Sequence, residues 1–213
     1  MDALILAGGE NRRLPFVKGF LEISNNTIIG SILHVLRGLF DRVIISTNNP
    51  ELFFSVESRM TGDLLKFRGP MTGILSGMIS IDRPALFVAA CDMPFLKYEL
   101  IRCIRDTWMQ MEKNSQKGTG DILRPLPVKG QDALIPCFDG RPQPLLGIYS
   151  KSIVEKLESS VRQGSRSLRH FLNELNVHYI NEDVVRAIDP EGRSFVNINT
   201  LEDYQRERVA VGC

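Results

Sequence analysis

The chain has 213 residues, 43% of them hydrophobic and 24% charged, with a formal net charge of +1, which suits one sizeable globular core. So small a charge leaves no bulk case for nucleic-acid or membrane-surface binding, and no apolar run approaches the ~20 residues of a membrane span. Cys91, Cys103, Cys137 and Cys213 form no C-x-x-C pair, so they read as reduced thiols of a cytoplasmic protein rather than as a metal site or disulfide framework.

In chain order, short apolar runs alternate with longer amphipathic ones. Ala3–Leu6 reads as a buried strand. Asp2 precedes it and Gly8-Gly9 stops it early, which excludes a signal peptide. Ile28–Phe40 has helical spacing, and Arg42–Ser46 is the next strand, broken by Thr47-Asn48-Asn49-Pro50. Pro50 is placed to start a short helix. Leu64–Phe67 reads as a short third strand and Gly73–Ile81 as a helix. Ala85–Ala90 is continuously apolar, as a strand covered on both faces should be. Lys97–Met111 is an amphipathic helix, with Trp108 and Met109–Met111 as core. Glu112–Gln131, polar and rich in Gly and Pro, reads as a long loop. Asp132–Phe138 and Leu145–Tyr149 are further strands; Ser152–Val161, Leu168–Leu175 and Thr200–Arg208 are helices, followed by a frayed tail. His34, His170 and His178 fall on helical or strand patterns and read as structural. This alternation predicts an α/β fold with a doubly wound, mostly parallel sheet, with ligands outside the carboxyl ends of its strands.

Three segments are candidates for chemistry there. Gly8–Lys18 follows the first strand. Bare backbone lets a phosphate approach closely, and Arg13 and Lys18 supply positive charge. The segment matches neither a P-loop nor a G-x-G-x-x-G fingerprint, and it reads equally as a plain strand-to-helix turn with solvated charges. Cys91-Asp92-Met93-Pro94 follows the most apolar strand. One Asp with waters and ligand phosphates is a usual way to hold Mg²⁺; the alternative is an Asp capping a helix that begins near Leu96. Asn197 and Asn199 lie two apart on an extended segment and so face one side, as ligands for a metal or an amide, while Thr200 reads as the cap of the helix behind them. No Ser/His/Asp or Cys/His set stands out.

Taken in order, Leu6-Ala7-Gly8-Gly9, Arg13, Lys18, Asn48, Gly69-Pro70-Met71-Thr72-Gly73-Ile74, Cys91-Asp92-Met93-Pro94, Gln143-Pro144-Leu145 and Asn197-Ile198-Asn199-Thr200-Leu201-Glu202-Asp203 resemble the molybdenum cofactor guanylyltransferase family along nearly the whole chain. The resemblance implies a Rossmann-like, three-layer α/β/α nucleotidyltransferase fold of the nucleotide-diphospho-sugar transferase type. It implies one domain over 1–213, with a nucleotide-binding half at about 1–111 and an acceptor-binding half at about 132–208. It further implies transfer of GMP from GTP to the terminal phosphate of molybdopterin or molybdenum cofactor, with Mg²⁺ and release of pyrophosphate. Cofactor-synthesis proteins or molybdoenzymes would be transient partners. Carried over residue by residue, Leu6, Ala7, Gly8 and Gly9 match the nucleotide-wrapping loop and Lys18 its phosphate-neutralising lysine. Asn48 and Asp63 fall where the nucleoside is contacted, and Asp92 matches the metal-binding Asp. Asn197 and Asn199 match the late asparagines near the reacting phosphates. Arg13, Lys18 and Asp92 form the catalytic set.

In the same superfamily guanylyl members tend to read AGG where cytidylyl members read AAG, so Gly8 favours GTP. The chain departs from the family at Pro15, where a Gly is usual, and at Val17, where an Asp is usual; Pro15 also removes a backbone donor. A relative using CTP or another phosphorylated acceptor, and a non-catalytic nucleotide-binding relative, are the alternative readings.

Overall fold

The computed structural model describes residues 1–8, 18–23, 25–116 and 130–210. Its elements, in order, are β1 (Asp2–Leu6), the small hairpin β2 (Glu22–Ile23) and β3 (Asn26–Thr27), α1 (Ile28–Arg37), β4 (Val43–Ser46), β5 (Arg59–Thr61), α2 (Pro70–Ile79), β6 (Ala85–Ala90) and α3 (Tyr98–Gln116). Then come β7 (Ala133–Phe138), β8 (Arg141–Pro142), β9 (Leu146–Ser150), α4 (Val154–Arg162), α5 (Leu168–Phe171), β10 (Val177–Ile180), α6 (Glu182–Ile188) and α7 (Leu201–Ala210).

One eight-stranded sheet runs β10-β7-β9-β6-β1-β4-β5, with β8 paired to β7 off this path. The pairs β1–β4, β1–β6, β4–β5 and β7–β10 are parallel, whereas β9 is antiparallel to both β6 and β7. The sheet is therefore mostly parallel, as expected, with one reversed strand inside it.

Alternation along the strands builds two cores. Ala3, Ile5, Ile45 and Phe87 pack on one face with the buried stripe of α1 (Ile28, Ile29, Ile32, Leu33, Leu36) and with Ile104 and Trp108 of α3. Leu4, Ile44, Leu86 and Val88 face the other side, against α2 and α4. Covering on both faces is why the central strands read as unbroken apolar runs. At the amino-terminal edge, fully buried Asp2 pairs with Arg42 at 2.7 Å, fixing β1 against the start of β4 and leaving the opposite edge for the ligand.

α2 lies very close to the sheet. A β-carbon at Gly73 would sit 2.8 Å from Leu6 Cδ2, and one at Gly77 would sit 2.6 Å from Leu4 Cδ2. Glycine one helical turn apart thus lets the helix backbone touch β1, and this approach carries the Gly69-Pro70 end of α2 to the ligand edge. Gly69 itself has φ of 139°, a region left to glycine, and Pro70 then opens the helix.

Several boundaries differ from the sequence reading. Leu64–Phe67 is not a strand; it is a run of bends, and the third parallel strand is β5 just before it. α3 continues to Gln116, so Glu112–Gln131 is not loop throughout, and 117–129 lie outside the described residues. Trp108 is fully buried, but Met109 is 40% exposed and not core. α7 extends to Ala210, so the tail is helical further than expected. The hairpin β2–β3, β10 and α6 were not anticipated.

Candidate functional site

β1, β4 and β6 end level with one another. Leu6 pairs with Ser46 on one side and with Ala90 on the other. The residues that follow therefore emerge together: Ala7-Gly8 from β1, Asn48 from β4, Cys91-Asp92 from β6. The Ala7 N–H donates to Ser46 O at 2.9 Å and the Cys91 N–H to Leu6 O at 3.0 Å, extending the sheet into the loops. A cleft of about 930 Å³ opens at this edge, lined by Leu6, Ala7, Gly8, Lys18, Asn48, Asp63, Gly69, Asp92 and others. Its size suits an organic ligand.

One end of the cleft is built around Asp92. Its carboxylate is 21% exposed and lies 3.8 Å from Lys18 Nζ, itself 20% exposed. Lys18 Nζ donates to Asn199 Oδ1 at 2.9 Å, joining positions 181 residues apart in sequence. The Ile198 N–H donates to the Asp92 carbonyl at 2.9 Å. Asp92 Oδ1 is buried and has no hydrogen-bond partner among the described residues. Burial pushes the Asp92 carboxyl above its ordinary range, and Lys18 opposes that shift. A half-buried carboxylate that lines the cleft and has one buried, unpaired oxygen is short of positive charge. Next to it, burial and the Asp92 charge push the Cys91 thiol up to about 12, which disfavours the thiolate.

The other end is a reciprocal pair. Asn48 Nδ2 donates to Asp63 Oδ2 at 2.7 Å, and the Asp63 N–H donates to Asn48 Oδ1 at 2.8 Å. This clasps the loop after β4 to the loop after β5. Ser76 of α2 accepts from the Leu64 N–H at 3.0 Å and fixes the far side of the same loop.

The structure thus brings Leu6, Ala7, Gly8, Lys18, Asn48, Asp63, Asp92 and Asn199 to one edge of the sheet. Gly9 and Arg13, with Pro15 and Val17, lie outside the described residues. Asn197 Nδ2 donates to Phe195 O at 3.1 Å, in the extended run that follows a 3-10 turn at Arg193–Phe195. Asp92 does not cap a helix at Leu96, since α3 begins at Tyr98. Thr200 does cap α7: its Oγ1 accepts from the Asp203 N–H at 3.1 Å, and Asp203 Oδ2 accepts in return from Thr200 N–H at 2.9 Å, a reciprocal capping box. Lys66, Arg68 and Arg166 also line the cleft and were missed. The basic pair just before Gly69-Pro70 was the available signal for two of them.

A sheet of this order, with a bare-backbone turn, a lysine and a lone half-buried Asp at its carboxyl edge, defines a nucleotidyltransferase. Residues 3–179 match the MobA-like NTP transferase domain family, and the chain belongs to it. A probable molybdenum cofactor guanylyltransferase of Peptoclostridium acidaminophilum is 31% identical over 96% of this chain and 87% of its own length. The molybdenum cofactor guanylyltransferase of Syntrophotalea carbinolica is 32% identical over 97% and 90%. Among solved structures, molybdopterin-guanine dinucleotide biosynthesis protein A from Archaeoglobus fulgidus superposes with a TM-score of 0.76 at 29% identity, covering 99% of this chain and 98% of that one. No described helix is long and apolar enough to cross a membrane.

Proposed function

We propose that this enzyme transfers GMP from GTP to the terminal phosphate of molybdopterin or molybdenum cofactor, forming the guanine dinucleotide cofactor and releasing pyrophosphate. The observation that carries the proposal is the unpartnered Asp92 Oδ1 beside Lys18, at one end of a cleft whose other end is the Asn48–Asp63 clasp. The names of the relatives supply guanine and the pterin acceptor.

Asp92 fits the role of the protein ligand to Mg²⁺. Among the described residues no group of three or more His, Cys, Asp or Glu gathers to hold a metal, which suits an ion completed by substrate phosphates and water. When bound, Mg²⁺ supplies charge neutralisation for the triphosphate and for the departing pyrophosphate.

The remaining work falls to side chains and backbone. Two polyanions must approach, and Lys18 offsets their repulsion at the phosphorus under attack. Bare backbone at Gly8 lets the phosphates come close; among the described residues a β-carbon there would have only Ser46 O, 3.9 Å away, as a neighbour, which leaves space on that side for a ligand. The acceptor-only carboxylate of Asp63, aimed by Asn48, suits the N–H donors on the guanine edge. Asn199 ties Lys18 to the acceptor half. A phosphate of the acceptor attacks the α-phosphorus of GTP, and the bond to the β-phosphate oxygen breaks. No protein nucleophile is required, in keeping with the disfavoured Cys91 thiolate. Positioning and electrostatics carry the rate.

The test is pyrophosphate release on mixing the protein with a molybdopterin-type acceptor, Mg²⁺ and each nucleoside triphosphate. Release with GTP alone is expected. Release with CTP would transfer the same chemistry to another base, and nucleotide binding without any turnover would overturn the enzymatic reading.

A further inference from the structure

Asp189, at the carboxyl end of α6, is fully buried and lines no part of the cleft. Its Oδ1 accepts from the Arg193 N–H at 3.1 Å and lies 3.1 Å from Lys97 Nζ. Its Oδ2 accepts from the Ser194 N–H at 2.8 Å. Burial would raise this carboxyl, but the Ser194 N–H and the Lys97 ammonium prevail and hold it below its ordinary value. A charge kept in the interior at this cost in solvation holds two segments together.

One is the Asp92 loop. Lys97 follows Asp92 by five residues, and its N–H donates to Ser194 Oγ at 3.0 Å. The other is the run beyond Ser194, which leads to the Ile198 N–H on the Asp92 carbonyl and to Asn199 on Lys18. The guanidinium of Arg193 stacks 4.0 Å over Phe95 and pairs with buried Glu207 of α7 at 2.8 Å. The same knot therefore grips the Asp92 loop from below and the Asn199 segment from behind.

We propose that Asp189 is a positioning residue for the transfer reaction, setting the Asn199 segment against the Asp92 loop so that Lys18 and Asp92 are held at their working separation. Asp189 touches no substrate and acts through Ser194 and Lys97. The inference rests on the transferase reading given above.

The test is Asp189→Asn, which keeps the shape but replaces an acceptor-only group with one that also donates. In amide hydrogen exchange the Ile198 and Lys97 amides should lose protection at least tenfold, while amides of β1 and β4 keep theirs. In the transfer assay, well below the melting temperature, kcat should fall about tenfold with KM for GTP changed less than twofold, because Asn48 and Asp63 are untouched. Asp189→Asn combined with Asn199→Ala should cost less than the product of the two single effects, as residues acting through one contact do. Ser194→Ala, which leaves the buried charge in place, should move each readout in the same direction by less, and it carries the test if Asp189→Asn does not fold. Unchanged kcat with protection lost, or kcat effects that multiply, would reduce Asp189 to a structural role. Loss of protection spread over the whole sheet would do the same. Absence of turnover in the unaltered protein would instead defeat the transferase reading, and the exchange data would still report on the knot.

Discussion

The two ends of the cleft are built in opposite ways. At the Asn48–Asp63 end the polar groups satisfy one another through a closed pair of hydrogen bonds, on loops that follow the buried strand β4 and the short edge strand β5. At the Asp92 end the groups come from distant parts of the chain, Asp92 just after the central strand β6, Lys18 from the 3-10 turn Lys18–Phe20 and Asn199 from the run before α7, with one carboxylate oxygen unpaired among the described residues. A satisfied, solvated pair discriminates between ligands at small cost. An unsatisfied, partly desolvated charge is poised for the ion and the transition state, where electrostatic interactions are strongest. Under the proposed function, the contrast would separate selection of the base from the transfer step.

The largest expected effect is at the charged end. Asp92→Ala should lower kcat by at least ~10²-fold, the cost of removing one group that acts mainly in the transition state, with circular dichroism unchanged. Full activity at matched Mg²⁺ would remove Asp92 from the site. Lys18→Met should cost up to about 10²-fold in kcat by the same reasoning. At the clasp the effect should fall on KM instead: Asp63→Ala should raise KM for GTP roughly tenfold, on the order of 1.4 kcal/mol, with kcat nearly kept. A kcat loss there matching that of Asp92→Ala would erase the distinction between the ends. Gly8→Ala should leave the melting temperature unchanged, since no atom of the described residues lies closer than 3.9 Å to the new carbon, and should shift the GTP-to-CTP preference a few-fold; an unaltered ratio would remove Gly8 from base selection.

The smallest effect is on stability. Burial raises the folded-state value of the Asp92 carboxyl above its unfolded one. A raised acid favours the folded state while it is protonated, and that advantage is lost as pH rises through the folded value. At neutral pH the ionised carboxylate therefore costs stability, so Asp92→Asn should raise the melting temperature there. The gain should shrink as pH falls through the folded-state value and be gone below about pH 4, where the carboxyl is neutral both folded and unfolded. Thermal melts of the two proteins across pH check this, and a lowered melting temperature at neutral pH would contradict the desolvation account.

The sequence was most legible where burial is two-sided and least where structure is peripheral. Ala85–Ala90 was bounded correctly because a strand covered on both faces must be apolar throughout. Leu64–Phe67 was misread because its apolar residues belong to a cleft-side bend, with Leu64 58% and Phe67 41% exposed. The strand beside it, Arg59–Thr61, is too short and polar to show a period. β10 escaped notice for a similar reason: His178 and Tyr179 are both exposed on an edge strand. In the cleft, strand order and loop residue type pointed to Gly8 and Asp92, whereas Asn48 and Asp63 came from the family resemblance. The partnership of Lys18 with Asn199 crosses the whole chain, and only folding reveals it. Asp189 carried no local signal, because its function lies in contacts with Lys97, which is 92 residues away, and with a turn whose polar sequence looks like any loop.

The most direct measurement of the division of labour is thermal stabilisation of the unaltered protein and of Asp92→Asn by GTP, CTP, UTP and ATP, each with and without Mg²⁺. A ligand at 100 times its dissociation constant adds ~2.7 kcal/mol, a readily seen shift. GTP should stabilise the unaltered protein above the other nucleotides, and Mg²⁺ should enlarge the shift. In Asp92→Asn the preference for GTP should persist while the Mg²⁺ increment disappears. A Mg²⁺ increment that survives the substitution, or a base preference that vanishes with it, would contradict the assignment of the two ends.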